Sequence, residues 1–293
     1  MTDRYLVGLI GTNIMKSLSP ALHEDAMAAA GAHGFYHLMD LSIMKRELGA
    51  VVGSLFTVGF SGVNVTHPYK EAVLEHLHEV SPQAREIGAV NTVVVGSDGK
   101  TTGYNTDRIG FKRGFEEVLG ENAAKGQSAL LLGAGGAGKA VAWAMVDLGI
   151  RHLYIFDKDT GRAASLAADI NQISATDICR AVADPTDVAG QVAGIVNATP
   201  IGMMGYPGMA IDAALIAPSH WVADIVYTPL MTELISTARR KGCVTVTGAG
   251  MCVHQAAEAF RLFTGITPDA QRMTRLFNDL VVKRDAKLLA DNA

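Results

Sequence analysis

Short apolar runs alternate with amphipathic segments along most of the 293-residue chain. That rhythm predicts an α/β protein with largely parallel sheets. In the first third, strands are predicted at 5–10, 35–41, 62–65, 90–95 and 101–104. A helix is predicted over 20–30, with Ser19 as N-cap, Pro20 in the first turn and Gly31 placed to stop it. Pro68 opens a second helix that runs to about residue 78. Ser81-Pro82 repeats the cap-plus-proline start for a short helix ending near Gly88. Ser97-Asp98-Gly99-Lys100 reads as a hairpin turn.

A further helix follows Asp107 and runs to about 119. The polar stretch 120–126 then breaks the pattern and is the best compositional candidate for a domain boundary. A second α/β unit begins at Ser128, with strands predicted at 129–132, 152–156, 194–197, 221–225 and 244–246. The last fifty residues are helical in pattern, over 251–263 and again after Pro268.

Composition narrows the function classes. Apolar residues make up 49% of the chain and charged ones 18%, a globular balance rather than a disordered one. The net charge of −4 is mild, and the basic residues are scattered, so no nucleic-acid footprint is expected. Cys179, Cys243 and Cys252 are far apart and form no CxxC pair, which favours reduced, packed thiols over a disulfide or zinc framework. The histidines include no HExxH, and no metal site is expected. The N-terminus lacks the apolar stretch of a signal peptide, and no run is long enough to cross a bilayer. The expected location is the cytoplasm, with no membrane partner.

The strongest motif is Gly133-Ala134-Gly135-Gly136-Ala137-Gly138, which follows one predicted strand and opens a helix. The first glycine permits a tight turn, the second lets the backbone approach a pyrophosphate, and the third allows close helix–strand packing. Asp157 closes the next strand. A carboxylate there suits the ribose hydroxyls of NAD and repels the 2′-phosphate of NADP; two like charges about 4 Å apart near a protein surface cost about 4 kcal/mol. Lys158 and Arg162 pull towards NADP. The balance favours NAD, with NADP as the alternative.

Three further segments offer chemistry for oxidising a hydroxyl. Lys70 falls in the first turn of the helix predicted after Pro68, where the positive end of the helix dipole disfavours the charged ammonium and a nearby carboxylate would act in the opposite sense. Asp107 lies between a strand and a helix, where its plain role is an N-cap. Ser17 and Ser19, two apart in a segment read as extended, would face the same way and both donate to one carboxylate.

Eight stretches in order, from Gly8 to Phe263, resemble the shikimate/quinate dehydrogenase family. They are Ser17–His23, Asn64–Lys70, Gly88–Thr92, Gly103–Asp107, Gly133–Ala137, Asn197–Met203, Asp224–Pro229 and Gly250–Ala256. The resemblance implies NAD-dependent oxidation of shikimate, with quinate as an additional substrate; a quinate or aminoshikimate dehydrogenase and a non-catalytic sensor are the alternatives. It implies Lys70 and Asp107 as the catalytic pair, and Ser17, Ser19 and Tyr227 as holders of the substrate carboxylate. Thr66, Asn91 and Gln255 would bind ring hydroxyls, with Asn64 beside them. Ile225 and Gly248 would line the nicotinamide pocket, and Asn197 to Thr199 would pass beneath the cofactor. Where NADP-using members carry Asn-Arg-Thr, this chain has Asp157-Lys158-Asp159, which supports NAD. His67 likewise resembles the quinate-linked branch. The resemblance further implies two α/β domains, a substrate domain over 1–107 completed by C-terminal helices over 250–293, and a Rossmann-type domain over 108–249. The expected assembly is a monomer or homodimer.

Overall fold

A computed structural model describes residues 3–291, with side chains through Arg284. The chain divides into two units, one comprising 1–106 and 253–293 and the other 107–252. The polar stretch 120–126 is therefore not the dividing point. Helix α5 (Asp107–Leu119), which precedes that stretch, packs within the second unit against α6 (Gly136–Asp147) and β12 (Val244–Val246). Its amphipathic face explains the attachment. Phe111 and Phe115 are buried, and Phe115 meets Trp221 edge-on with centroids 5.0 Å apart. On α5's first turn, Arg108 forms a bidentate pair with Asp147 at 2.6 Å for both bonds and lies 5.0 Å from the Trp143 ring.

The first unit is built on a six-stranded sheet. Its strands are β1 (Arg4–Gly11), β2 (His33–Asp40), β3 (Gly62–Val65), β4 (Glu79–Val80), β5 (Thr92–Val95) and β6 (Thr101–Tyr104), in the order β2-β1-β3-β5-β6-β4. β1 pairs in parallel with β2 and β3, but β3–β5 and β5–β6 are antiparallel, so this sheet is mixed. The hairpin at 97–100 produces the second reversal, with Gly96 N–H donating to the Lys100 carbonyl at 2.8 Å. Helices α1 (Ser19–Ala29), α2 (Leu41–Met44), α3 (Leu48–Val58) and α4 (Pro82–Ile87) accompany the sheet. Val51, Val52 and Leu55 of α3 bury against Ile10, Val63, Val65 and Val93.

Several local expectations are corrected. Ser19 does not cap α1; Leu18 holds that position and Ser19 is the first helical residue. The strand expected from Val90 starts at Thr92. The helix expected from Pro68 is a turn followed by a short 3₁₀ segment over Ala72–His76. The physical reason is visible at Lys70, whose carbonyl accepts from Val90 N–H at 2.8 Å and so is committed across the fold instead of to Leu74. Leu74 N–H turns back to Glu71 instead.

The second unit carries β7 (Ser128–Leu132), β8 (His152–Phe156), β9 (Cys179–Ala181), β10 (Gly194–Asn197), β11 (Trp221–Asp224) and β12. All pairings are parallel, in the order β12-β11-β10-β7-β8-β9. This is the doubly wound dinucleotide order, with its reversal between β7 and β10. Helices α6, α7 (Thr160–Ser174) and α8 (Glu233–Arg240) belong to this unit. Helix α9 (Gly248–Thr264) begins in the second unit and ends in the first, and α10 (Ala270–Asp291) completes the first. Arg272 on α10 pairs with Asp25 on α1 at 2.7 Å. No helix among the described residues is long and apolar enough to cross a membrane.

Candidate active site

In the second unit, the loops after β7 and β10 meet at the strand-order reversal. Gly133 has φ +101°, and a Cβ there would lie 2.9 Å from the Ala198 carbonyl oxygen. A Cβ on Gly138 would lie 2.1 Å from the Gly133 carbonyl oxygen. Both positions therefore demand glycine, one for its backbone and both for closeness. Gly135 precedes α6 in extended conformation, and Gly136 and Ala137 form the helix's first turn. This is the crevice outside the carboxyl ends of the strands in which such sheets bind dinucleotides.

Asp157 follows β8, and its Oδ2 accepts from Ala134 N–H at 2.7 Å while Oδ1 accepts from Asp159 N–H at 2.9 Å. The carboxylate thus fixes the glycine loop from the end of β8. Asp159 caps α7, accepting from the N–H groups of Gly161 and Arg162. Lys158 and Arg162 are both exposed.

At the end of β10, the Asn197 side chain is spent inside the protein. Nδ2 donates to the Ile201 carbonyl at 3.0 Å and to Asp224 Oδ1 at 2.9 Å. Oδ1 accepts from Thr199 N–H at 3.0 Å and Thr199 Oγ1 at 2.7 Å. All four of its hydrogen-bonding positions are filled. Asp224 also receives Val226 N–H at 3.0 Å and Thr232 Oγ1 at 2.7 Å. Burial pushes its carboxyl up to about 6, against the opposing effect of those donors. Ala223, Asp224, Ile225, Val246, Gly248 and Met251 line a recess in this unit. A Cβ on Gly248 would lie 2.4 Å from the Ile225 carbonyl oxygen, so these two candidate nicotinamide neighbours touch through backbone. Tyr227 is half-buried just beyond.

In the first unit, the candidate polar residues gather at the ends of β1 and β3 and the start of β5. Asn64 Oδ1 accepts from Tyr36 Oη at 2.9 Å, and its Nδ2 donates to the Asn91 carbonyl and to Thr92 Oγ1. Asn91 Oδ1 accepts from Thr106 N–H at 2.8 Å and Thr92 Oγ1 at 2.9 Å. Thr106 Oγ1 reaches Gln255 Oε1 at 3.5 Å. Asn91 thereby pins the residue immediately before Asp107, which is buried. Thr66 N–H donates to the Ile10 carbonyl. Lys70 is half-buried in the turn after β3; with no α-helix there, the dipole expected beneath it is absent.

Ser17 and Ser19 do meet, Ser17 Oγ donating to Ser19 Oγ at 3.1 Å. The backbone between them is not extended, since Leu18 is in the right-handed helical region with φ −86° and ψ −6°. A residue overlooked in the sequence holds this loop. Asp40, buried at the end of β2, accepts from Ile14 N–H at 3.0 Å, and the Ile14 carbonyl accepts from Ser17 N–H. Burial alone would raise the Asp40 carboxyl, but bonds from Ser42 and Ile14 bring it below the usual range. The Asp40-Leu41-Ser42 cap signal was there to be read.

Among described residues, no group of three or more His, Cys, Asp or Glu is arranged to hold a metal ion.

Comparison with known proteins agrees with this layout. Residues 9–93 match the shikimate dehydrogenase substrate binding domain, and residues 248–276 match the shikimate 5′-dehydrogenase C-terminal domain. A Corynebacterium efficiens protein named quinate/shikimate dehydrogenase (NAD(+)) is 45% identical over 95% of this chain and 99% of its own. An Arthrobacter protein named shikimate dehydrogenase (NADP(+)) is 42% identical over 97% of each. The solved quinate dehydrogenase from Corynebacterium glutamicum in complex with NAD superposes with a TM-score of 0.88 at 44% identity, covering 95% of this chain and 100% of that one. With near-complete coverage at this identity, and with the polar cluster of the first unit and the glycine crevice of the second both in place, the chain belongs to the shikimate/quinate dehydrogenase family.

Proposed function

We propose that this protein is a cytoplasmic, NAD-dependent dehydrogenase that reversibly oxidises the ring hydroxyl of shikimate and also accepts quinate. The observation that carries the reading is Asp157, a carboxylate after β8 bonded to the glycine loop, in a chain aligned almost end to end with an NAD-linked relative. The crevice fits a dinucleotide because glycines keep Cβ atoms out of it. NAD, when bound, supplies the hydride acceptor.

The chain's own residues do the rest. Lys70 carries the hydroxyl proton, and Asp107 hydrogen-bonds the substrate and orients the lysine. Ser17, Ser19 and Tyr227 hold the carboxylate, while Thr66, Asn91 and Gln255 read ring hydroxyls. Asn64, whose amide donors are both spent on Asn91 and Thr92, acts by fixing Asn91. Gly133 to Ala137 receive the pyrophosphate, Asp157 the ribose, and Ile225 with Gly248 line the nicotinamide pocket. Asn197 and Thr199 shape the crevice floor through backbone.

The test is a steady-state assay crossing shikimate and quinate with NAD and NADP. Turnover of shikimate with NAD, at a higher kcat/KM than with NADP, is expected. Failure of both substrates with both cofactors overturns the enzyme reading, and a clear NADP preference overturns the role of Asp157.

A further inference from the structure

Asp224 is 2% exposed, and burial pushes its carboxyl towards the neutral form against the donors that bond it. A buried carboxylate is an expensive way to stabilise a fold, because apolar residues of similar size usually do as well or better. Its connections suggest what it is for. Oδ1 takes the Asn197 amide from the end of β10 and Val226 N–H from the segment after β11. Oδ2 takes the Thr232 hydroxyl, and Thr232 in turn accepts from Ile235 N–H as the cap of α8. Through Asn197 the chain of bonds continues to Thr199 and to the Ile201 carbonyl. One side chain thus ties three separate stretches, 197–201, 225–227 and the α8 cap.

We propose that Asp224 is a positioning residue whose carboxylate holds the 197–201 and 225–227 segments in the geometry that receives cofactor and substrate. The inference rests on the dehydrogenase reading, because that reading puts Thr199, Ile225 and Tyr227 in the site. Asp224 itself is given no contact with either ligand.

The test compares Asp224→Ala, Asp224→Asn, Thr232→Val and Thr232→Ser in the full chain. Asparagine keeps an oxygen for Asn197 and Val226 and turns an amide donor towards the Thr232 hydroxyl, so it preserves the ties. Losing the ties at Asp224→Ala should weaken NAD binding and raise the KM for shikimate by about tenfold or more, the scale of one or two buried hydrogen bonds. Asp224→Asn should stay within about threefold of the parent. Thr232→Val should fall between, and Thr232→Ser should match the parent. Hydrogen–deuterium exchange at 197–201 and 225–228 should quicken in Asp224→Ala and Thr232→Val. A folded Asp224→Ala with unchanged NAD binding and shikimate KM overturns the proposal, as does an Asp224→Asn as impaired as Asp224→Ala. If Asp224→Ala does not fold, Thr232→Val decides, and unchanged exchange in its two segments overturns the proposal. If the parent protein turns over neither substrate, the dehydrogenase reading fails by itself. The exchange measurement then still decides whether Asp224 holds these segments.

Discussion

Lys70 and Asn197 show how differently two residues of recognisable motifs can work. Lys70 sits half-buried in a turn whose carbonyl is committed to Val90, and the proposed function gives its amine the hydroxyl proton. Lys70→Ala should lower kcat by about 10²-fold or more, the usual loss for an acid–base group; near-parental turnover in a stopped assay would remove it from the mechanism. Asn197, by contrast, has no hydrogen-bonding capacity left for a ligand. Its motif was legible, but its work was not, because its partner Asp224 lies 27 positions away on a neighbouring strand. Asp157 is bonded to the glycine loop, and the proposed function gives it the ribose as well. Asp157→Asn retains the acceptor for Ala134 N–H, gives up the one for Asp159 N–H and removes the charge, so the ratio of NADP to NAD kcat/KM should rise at least about tenfold. A ratio that does not move would show that the discrimination lies elsewhere.

At the level of elements, periodicity exposed most of the second sheet because its parallel strands are short continuous apolar runs. Its edge strand β9 has only three residues, one buried, and carries no such signal. Helix α3 was missed although Leu48, Val51, Val52 and Leu55 follow the helical period; exposed Phe56 and Val58 blur its polar face. The Pro68 helix failed because a long-range bond, invisible to local pattern, redirected the Lys70 carbonyl. The glycine loop was legible since its constraint is local. Gly138→Ala would force its Cβ against the Gly133 carbonyl at 2.1 Å, so either loop or helix must shift. NAD affinity should fall by about tenfold or more, measured by titration, while circular dichroism retains the α/β signature. Unchanged affinity would mean that the loop's shape does not set binding.

Across the whole molecule, one buried group in each unit should answer acid in the opposite sense to the other, His23 in the first and Asp224 in the second. His23, in the first unit, is fully buried between Tyr36, Phe260 and Phe263, and burial lowers its pKa from 6.5 to about 3. The unfolded chain takes that proton below 6.5 and the folded one does not, so His23 removes stability as pH falls from 6.5 towards 3. The slope approaches about 1.4 kcal/mol per pH unit for one group. Asp224 works the other way. Its pKa is raised from 3.8 to about 6, so its contribution is fullest below 3.8 and is lost as pH rises through 6. Urea unfolding of the second unit at pH 4 and pH 6 should show a relative gain at pH 4 that Asp224→Asn lacks. Parallel pH curves for parent and variant would refute this. The measurement is practical because of where the indoles lie. Both tryptophans of the chain, Trp143 beside Arg108 and Trp221 beside Phe115, belong to the second unit. Light absorbed by indole is therefore absorbed in the nucleotide-binding half alone, and energy transferred from indole to a reduced nicotinamide would make loading of that half visible without a label.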